Sequence, residues 1–183
     1  INCPMEVPLE FVNKFYPKRN GIIMISRLYT EKRLASILET LNDVSFEIDD
    51  KISIIGDGHE KTYFSKKYPN LNFLGYIPEE DKYNMLSKSK LLIFPTAQEW
   101  SLVVCEANLC RTPVIGIDCF GIREINTLIS NNEHKPNKIF SNTDQMKKLI
   151  KDYVKTNILS KKEFEKFKNN ISYEKCMNKL KPL

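Results

Sequence analysis

Residues 91–125 read LLIFPTAQEWSLVVCEANLCRTPVIGIDCFGIREI, and this stretch decides the fold. Leu91, Leu92, Ile93 and Phe94 are apolar at every position, so the segment has no polar side to give to water. A strand of that kind is covered on both faces, as in a parallel sheet flanked by helices. A polar loop follows, then a helix start at Ser101, then a second wholly apolar strand, PVIGI, and a glycine turn. Working outward, the same runs recur upstream as GIIMIS from Gly21, ISIIG ending at Gly56 and LNFLG ending at Gly75, and downstream as KIFS around Ile139. Each run is followed by helical spacing. Strand and helix in alternation define βαβ units with right-handed crossovers. The expected fold is α/β: a Rossmann-like parallel sheet of about six strands with helices on both faces.

Start signals place the helices at Thr30 before EKRLASILETLN, at Pro78 with Glu79 and Glu80, at Ser101, and at Asn142 or Thr143. A lysine-rich helix is expected from Ser160 to near Leu180. Residues 1–20 contain three prolines and no sustained period, and read as an extended interdomain linker. That leaves 21–159 as the folded domain and 160–183 as a C-terminal helix or tail. The chain opens on Ile1 with no charged-then-apolar leader, and so reads as a piece of a longer chain.

At 183 residues, 42% hydrophobic and 28% charged, the composition is that of one globular domain with an appendage. No apolar run approaches the ~18 residues a membrane helix needs. The net charge of +5 comes with lysines concentrated after Thr143, read as a solvated helical face rather than a nucleic-acid surface. Five cysteines without CxxC spacing suggest neither a disulfide framework nor a zinc site, and fit a reducing cytoplasm. There is no GxGxxG fingerprint and no P-loop, which sets aside dinucleotide dehydrogenases and nucleoside triphosphatases. His59 and His134 have no second ligand at helical spacing, so no metal site is expected.

In a parallel sheet, ligands sit at the carboxyl ends of the strands, where helix N-termini offer N–H groups. Arg27 and Lys32 follow the first strand there, a planar fork and a compact charge suited to a diphosphate. Gly56, in IIGDGH, permits a tight turn or the close approach of a backbone or ligand. Gln98 and Glu99 lie in the loop before Ser101, and Glu106 falls mid-helix among Val103, Val104 and Cys105. A buried carboxylate needs a partner: a cation such as Arg27 or Lys32, or ligand hydroxyls such as those of ribose.

Taken in order, SRLYTEK, IIGDG, LNFLGYIPEED, LLIFPTAQEWSLVVCEANLCRTPVIG and GIREI resemble the C-terminal, donor-binding half of the retaining group 1, family-4 glycosyltransferases of GT-B fold. The resemblance runs from about Ile1 to Ser130. It implies that Arg27 and Lys32 bind the donor diphosphate, although Ser26 and Arg33 stand where the family has glycines. It implies that Glu106 meets the ribose, and that Gln98 or Glu99 contacts donor-sugar hydroxyls. The Ser101 cap would aim the N–H groups of Leu102 and Val103 at the diphosphate, and the loop at Tyr76 and Ile77 would receive the base. The implied reaction is retaining, metal-independent transfer from a nucleoside-diphosphate sugar, with no further cofactor, to an acceptor glycan or glycolipid held by a missing N-terminal domain. This half alone would be inactive. The implied setting is cytoplasmic, with peripheral membrane contact by the full-length protein. The alternatives are a noncatalytic nucleotide-sugar binding module and a GT-B-like sugar-nucleotide 2-epimerase.

Overall fold

The computed structural model describes residues 10, 11, 16, 18–97, 101–129 and 137–155. Six strands, β1 (Ile22–Ile25), β2 (Ile52–Ile55), β3 (Asn72–Gly75), β4 (Leu91–Phe94), β5 (Val114–Ile117) and β6 (Lys138–Phe140), form one sheet in the order β3-β2-β1-β4-β5-β6. Every pairing is parallel. Between and after the strands run α1 (Ala35–Ser45), α2 (Lys61–Lys67), α3 (Glu79–Lys88), α4 (Leu102–Leu109), α5 (Phe120–Ile129) and α6 (Thr143–Lys155).

The apolar strand runs are explained by the two cores they serve. Ile22, Met24, Ile52, Ile54, Leu91, Ile93 and Ile115 point to one side, against α1, α2 and α6. Ile23, Ile55, Leu92, Phe94 and Val114 point to the other, against α3, α4 and α5. Alternation of period two is present, but both phases are buried, so it leaves no polar residue to mark it.

The strand order reverses between β1 and β4: the chain builds outward through β2 and β3, then returns to the far side of β1. This is the topological switch point at which the C-terminal strand ends splay and open a crevice.

Three local expectations are corrected. The first helix does not run on from Thr30. Thr30–Lys32 form a single 3-10 turn, Arg33 adopts a left-handed conformation (φ 49°, ψ 46°), and α1 begins at Ala35. A left-handed residue cannot propagate a right-handed helix, so the chain must restart beyond it. Glu10 and Phe11 are helical rather than extended, and Phe11 is buried against the Tyr83 ring at 6.0 Å between centroids. Arg19 is buried as well, donating to the carbonyls of Ser89 and Cys110 and to Thr112 Oγ1 at 2.9–3.1 Å; burial pulls its pKa down to about 10. The described part of the N-terminal segment therefore packs on the domain. Asn142 Oδ1 accepts the Gln145 N–H at 2.9 Å and caps α6. The helix expected over 160–180 lies outside the described residues.

Candidate functional site

A cleft of about 320 Å³ opens at the switch point. Its walls come from the ends of β1 (Ile25, Ser26, Arg27), β2 (Ile55, Gly56) and β4 (Phe94, Thr96), and from the starts of α3 (Tyr76, Ile77, Glu79, Lys82) and α4 (Ser101, Val103), with Lys32 beside Arg27. Residues distant in sequence thus meet because three strands end and two helices begin on this edge of the sheet.

The β1 and β2 loops are stitched together by backbone. Ser26 N–H donates to the Ile55 carbonyl at 3.0 Å, and Leu28 N–H to that of Asp57 at 2.9 Å. Gly56, at φ +128°, lies so close that a Cβ there would stand 2.1 Å from the Ser26 carbonyl oxygen. The close approach at Gly56 is thus that of the neighbouring backbone, although the residue also lines the cleft. Within the turn, Lys32 N–H donates to the Tyr29 carbonyl at 2.9 Å, curling Lys32 back toward the strand end. Arg27 is exposed, with its guanidinium 5.8 Å from the Tyr29 ring centroid, and Tyr29 in turn packs on His59 at 5.2 Å. Among the described residues neither Arg27 nor Lys32 forms an ion pair.

Across the cleft, Ser101 caps α4, its Oγ accepting the Val104 N–H at 3.3 Å. The first-turn amides of a helix lack intrahelical acceptors and carry the positive end of its dipole. Ser101 and Val103 line the cleft, so that end faces the opening; Leu102 points away and is 44% exposed. Tyr76 is exposed at the mouth, while Ile77 packs against the α3–α5 core. Gln98 and Glu99 lie outside the described residues.

Glu106 has a cation for partner, one of the two kinds expected of it. Its partner is neither Arg27 nor Lys32 but Lys82, whose Nζ is 3.0 Å from Oε1; Tyr83 Oη donates to the same oxygen at 3.4 Å, and Glu79 Oε1 is 3.3 Å from Nζ on the outer side. The reason is positional. Glu106 sits in the second turn of α4 and faces α3, so the cation within reach is one carried by α3. Burial raises the Glu106 carboxyl above its ordinary value despite the opposing pull of Lys82. Burial would lower Lys82, but Glu106, Tyr83 and Glu79 together raise it. Tyr83 is pushed up to about 12 by burial and the neighbouring Glu106 charge. Among the described residues Glu106 Oε2 has no hydrogen-bond partner.

Sequence reasoning missed Lys82. Its signal was a cation in the first turn of a helix, where the dipole disfavours positive charge, next to Glu79 and Glu80. Such a lysine needs carboxylates nearby, and Glu79 and Glu106 supply them. Among the described residues no group of His, Cys, Asp or Glu has a metal-binding arrangement, and no helix is long and apolar enough to cross a membrane.

A doubly wound sheet with its cleft at the switch point is the Rossmann-like α/β architecture of one half of a GT-B enzyme. The chain belongs to the glycosyl transferases group 1 family, whose model matches residues 8–172. N-acetyl-alpha-D-glucosaminyl L-malate synthase of Bacillus anthracis is 29% identical over 111 residues, 57% of this chain and 29% of that protein. A mutant of S. aureus TarM, in complex with Fondaparinux, alpha-GlcNAc-glycerol and UDP, superposes with a TM-score of 0.67 at 23% identity, over 91% of this chain and 36% of that one. Anabaena Alr3699/HepE in complex with UDP gives 0.60 at 16% identity, over 83% and 43%. At these identities the two structures speak to fold alone. The chain spans less than half the length of each of the three.

Proposed function

We propose that this chain is the donor-binding half of a retaining glycosyltransferase and holds a nucleoside-diphosphate sugar in the switch-point cleft. The observation that carries the reading is the convergence of Arg27, Lys32 and the Ser101-capped end of α4 on one opening. Two cations and a helix N-terminus facing the same space suit a diphosphate, and they are worth most where negative charge grows as the leaving group departs. Arg27 and Lys32 would hold the diphosphate oxygens, and the first-turn amides of α4 would complete the cradle. Tyr76 and Ile77 at the mouth would receive the base. In this reading the protein's own positive groups stabilise the departing diphosphate, with no metal in that role. UDP in the TarM and HepE structures supports a uridine nucleotide as the first ligand to test.

The acceptor, a glycan or glycolipid, would be held by an N-terminal half on the other side of the cleft, and closure of the two halves would exclude water. The chain alone would bind donor and transfer nothing. A cytoplasmic setting, with membrane contact made by the whole enzyme, belongs to the same proposal.

The test is a melting-temperature screen against UDP, GDP, ADP and pyrophosphate. A ligand at a hundredfold its Kd adds about 2.7 kcal/mol of stability, a rise of about 5–10 °C for a domain of this size. If none of the four moves the transition at millimolar concentration, the donor reading fails.

A further inference from the structure

Leu28 is held to the loop that follows β2 by both of its backbone groups. Its N–H donates to the Asp57 carbonyl at 2.9 Å, and its carbonyl accepts the Glu60 N–H at 3.1 Å. The two segments run so close that a Cβ on Gly58 would stand 2.2 Å from the Leu28 carbonyl oxygen. His59 lies between the two bonded positions, and the double stitch brings it onto the residues after Leu28. His59 Nε2 is 2.9 Å from Thr30 Oγ1, and the imidazole is 5.2 Å from the Tyr29 ring. The Arg27 guanidinium is 5.8 Å from the same Tyr29 ring. Thr30, His59, Tyr29 and Arg27 therefore form one connected series of side chains that ends on the cleft wall at Arg27.

The need for such a series follows from charge. Arg27 is exposed and has no ion pair among the described residues. A guanidinium on a long, unpaired stem samples many rotamers, and a ligand that engages it must supply the free energy of ordering it. A carboxylate partner would order it but would compete with an anionic ligand. An aromatic face restricts it and leaves the charge available. Tyr29 supplies that face, and its own ring packs on His59, which Thr30 orients. Resting on the donor-nucleotide reading above, we propose that His59 is a positioning residue for Arg27, acting through Tyr29, and that it preorganises the diphosphate end of the cleft without touching the ligand.

The experiment is calorimetric titration of pyrophosphate into the 183-residue chain and its His59→Ala, His59→Phe and Arg27→Ala variants, together with the His59→Ala, Arg27→Ala double variant. His59→Ala should weaken pyrophosphate about fivefold, the scale of one aromatic contact. His59→Phe keeps a ring against Tyr29 and should stay within about twofold of wild type. In the Arg27→Ala background His59→Ala should change affinity by less than about twofold, because the residue it acts through is gone. His59 is exposed, so the melting temperature of each His59 variant should stay within about 2 °C of its parent. The inference is overturned if His59→Ala binds pyrophosphate within twofold of wild type, or if His59→Phe loses as much as His59→Ala. It is also overturned if His59→Ala costs the same with and without Arg27, the mark of a general structural role. Failure of the donor reading shows itself differently, as a wild type that binds neither pyrophosphate nor UDP, GDP or ADP, and takes this inference with it.

Discussion

Replacing Lys82 with Met at pH 8 should cost about 3 kcal/mol, because it strands a buried carboxylate whose only close cation among the described residues is the one removed. The Glu106 side chain is 8% exposed, Oε1 would retain just the Tyr83 hydroxyl at 3.4 Å, and Oε2 has no hydrogen-bond partner among the described residues. Glu106→Gln alone should cost about 1 kcal/mol, since Lys82 keeps Glu79 at 3.3 Å. The double variant should lose about 2 kcal/mol, less than the two singles together, giving a coupling of about 2 kcal/mol. The penalty should also depend on pH with a defined sign. Burial raises the folded-state pKa of Glu106 above its ordinary 4.5, so the folded protein takes up a proton more readily than the unfolded chain. The stability linked to this group is fully present below the unfolded value and is lost as pH rises through the folded one. Removing Lys82 raises the folded value further, so the variant's deficit should shrink between pH 8 and pH 5. Urea denaturation of the four proteins at both pH values reads the cycle. A Lys82→Met variant within about 0.5 kcal/mol of wild type at pH 8, with a parallel pH profile, would refute the claim that this pair is energetically coupled.

Two further substitutions probe the turn that carries the cations. Arg33→Gly should stabilise the chain by about 0.5–1 kcal/mol, because Arg33 sits at φ 49° and glycine adopts that conformation without strain; an unchanged or lower melting temperature would count against strain at this residue. Gly56→Ala should destabilise by about 2–3 kcal/mol, since the new methyl would stand 2.1 Å from the Ser26 carbonyl oxygen in a backbone conformation that L-residues avoid. It should also weaken pyrophosphate binding by displacing the residue before Arg27, and a variant with wild-type melting and binding would show that the loop apposition is dispensable.

The sheet was legible because its central strands β1, β4 and β5 are uninterrupted apolar runs followed by helical spacing, a pattern that a parallel sheet covered on both faces accommodates. The caps at Ser101 and Asn142 were legible for a local reason, a short polar side chain before a helical pattern. The start of α1 was not, because Arg33 is left-handed and an arginine side chain does not mark that conformation. The Lys82–Glu106 pair was missed for a different reason. The two residues are 24 positions apart, and their meeting depends on how α3 and α4 pack side by side, so a reading that left Glu106 open between a cation and ligand hydroxyls had nothing to point it to Lys82. The gathering of Arg27, Lys32, Gly56, Tyr76, Ile77, Ser101 and Val103 on one edge of the sheet, by contrast, follows from the alternation of βαβ units, which sets every strand end and helix start on the same side, while the strand order that puts β4 beside β1 came from the structure.

The central claim is that Arg27 and Lys32 act together on a diphosphate, and pyrophosphate titrated calorimetrically into wild type and the Arg27→Ala, Lys32→Ala double variant tests it most directly. Two charge-assisted contacts at about 1.5–3 kcal/mol each predict roughly a hundredfold or greater loss of affinity in the variant, with the fold intact. Equal pyrophosphate affinity in the two proteins would contradict it.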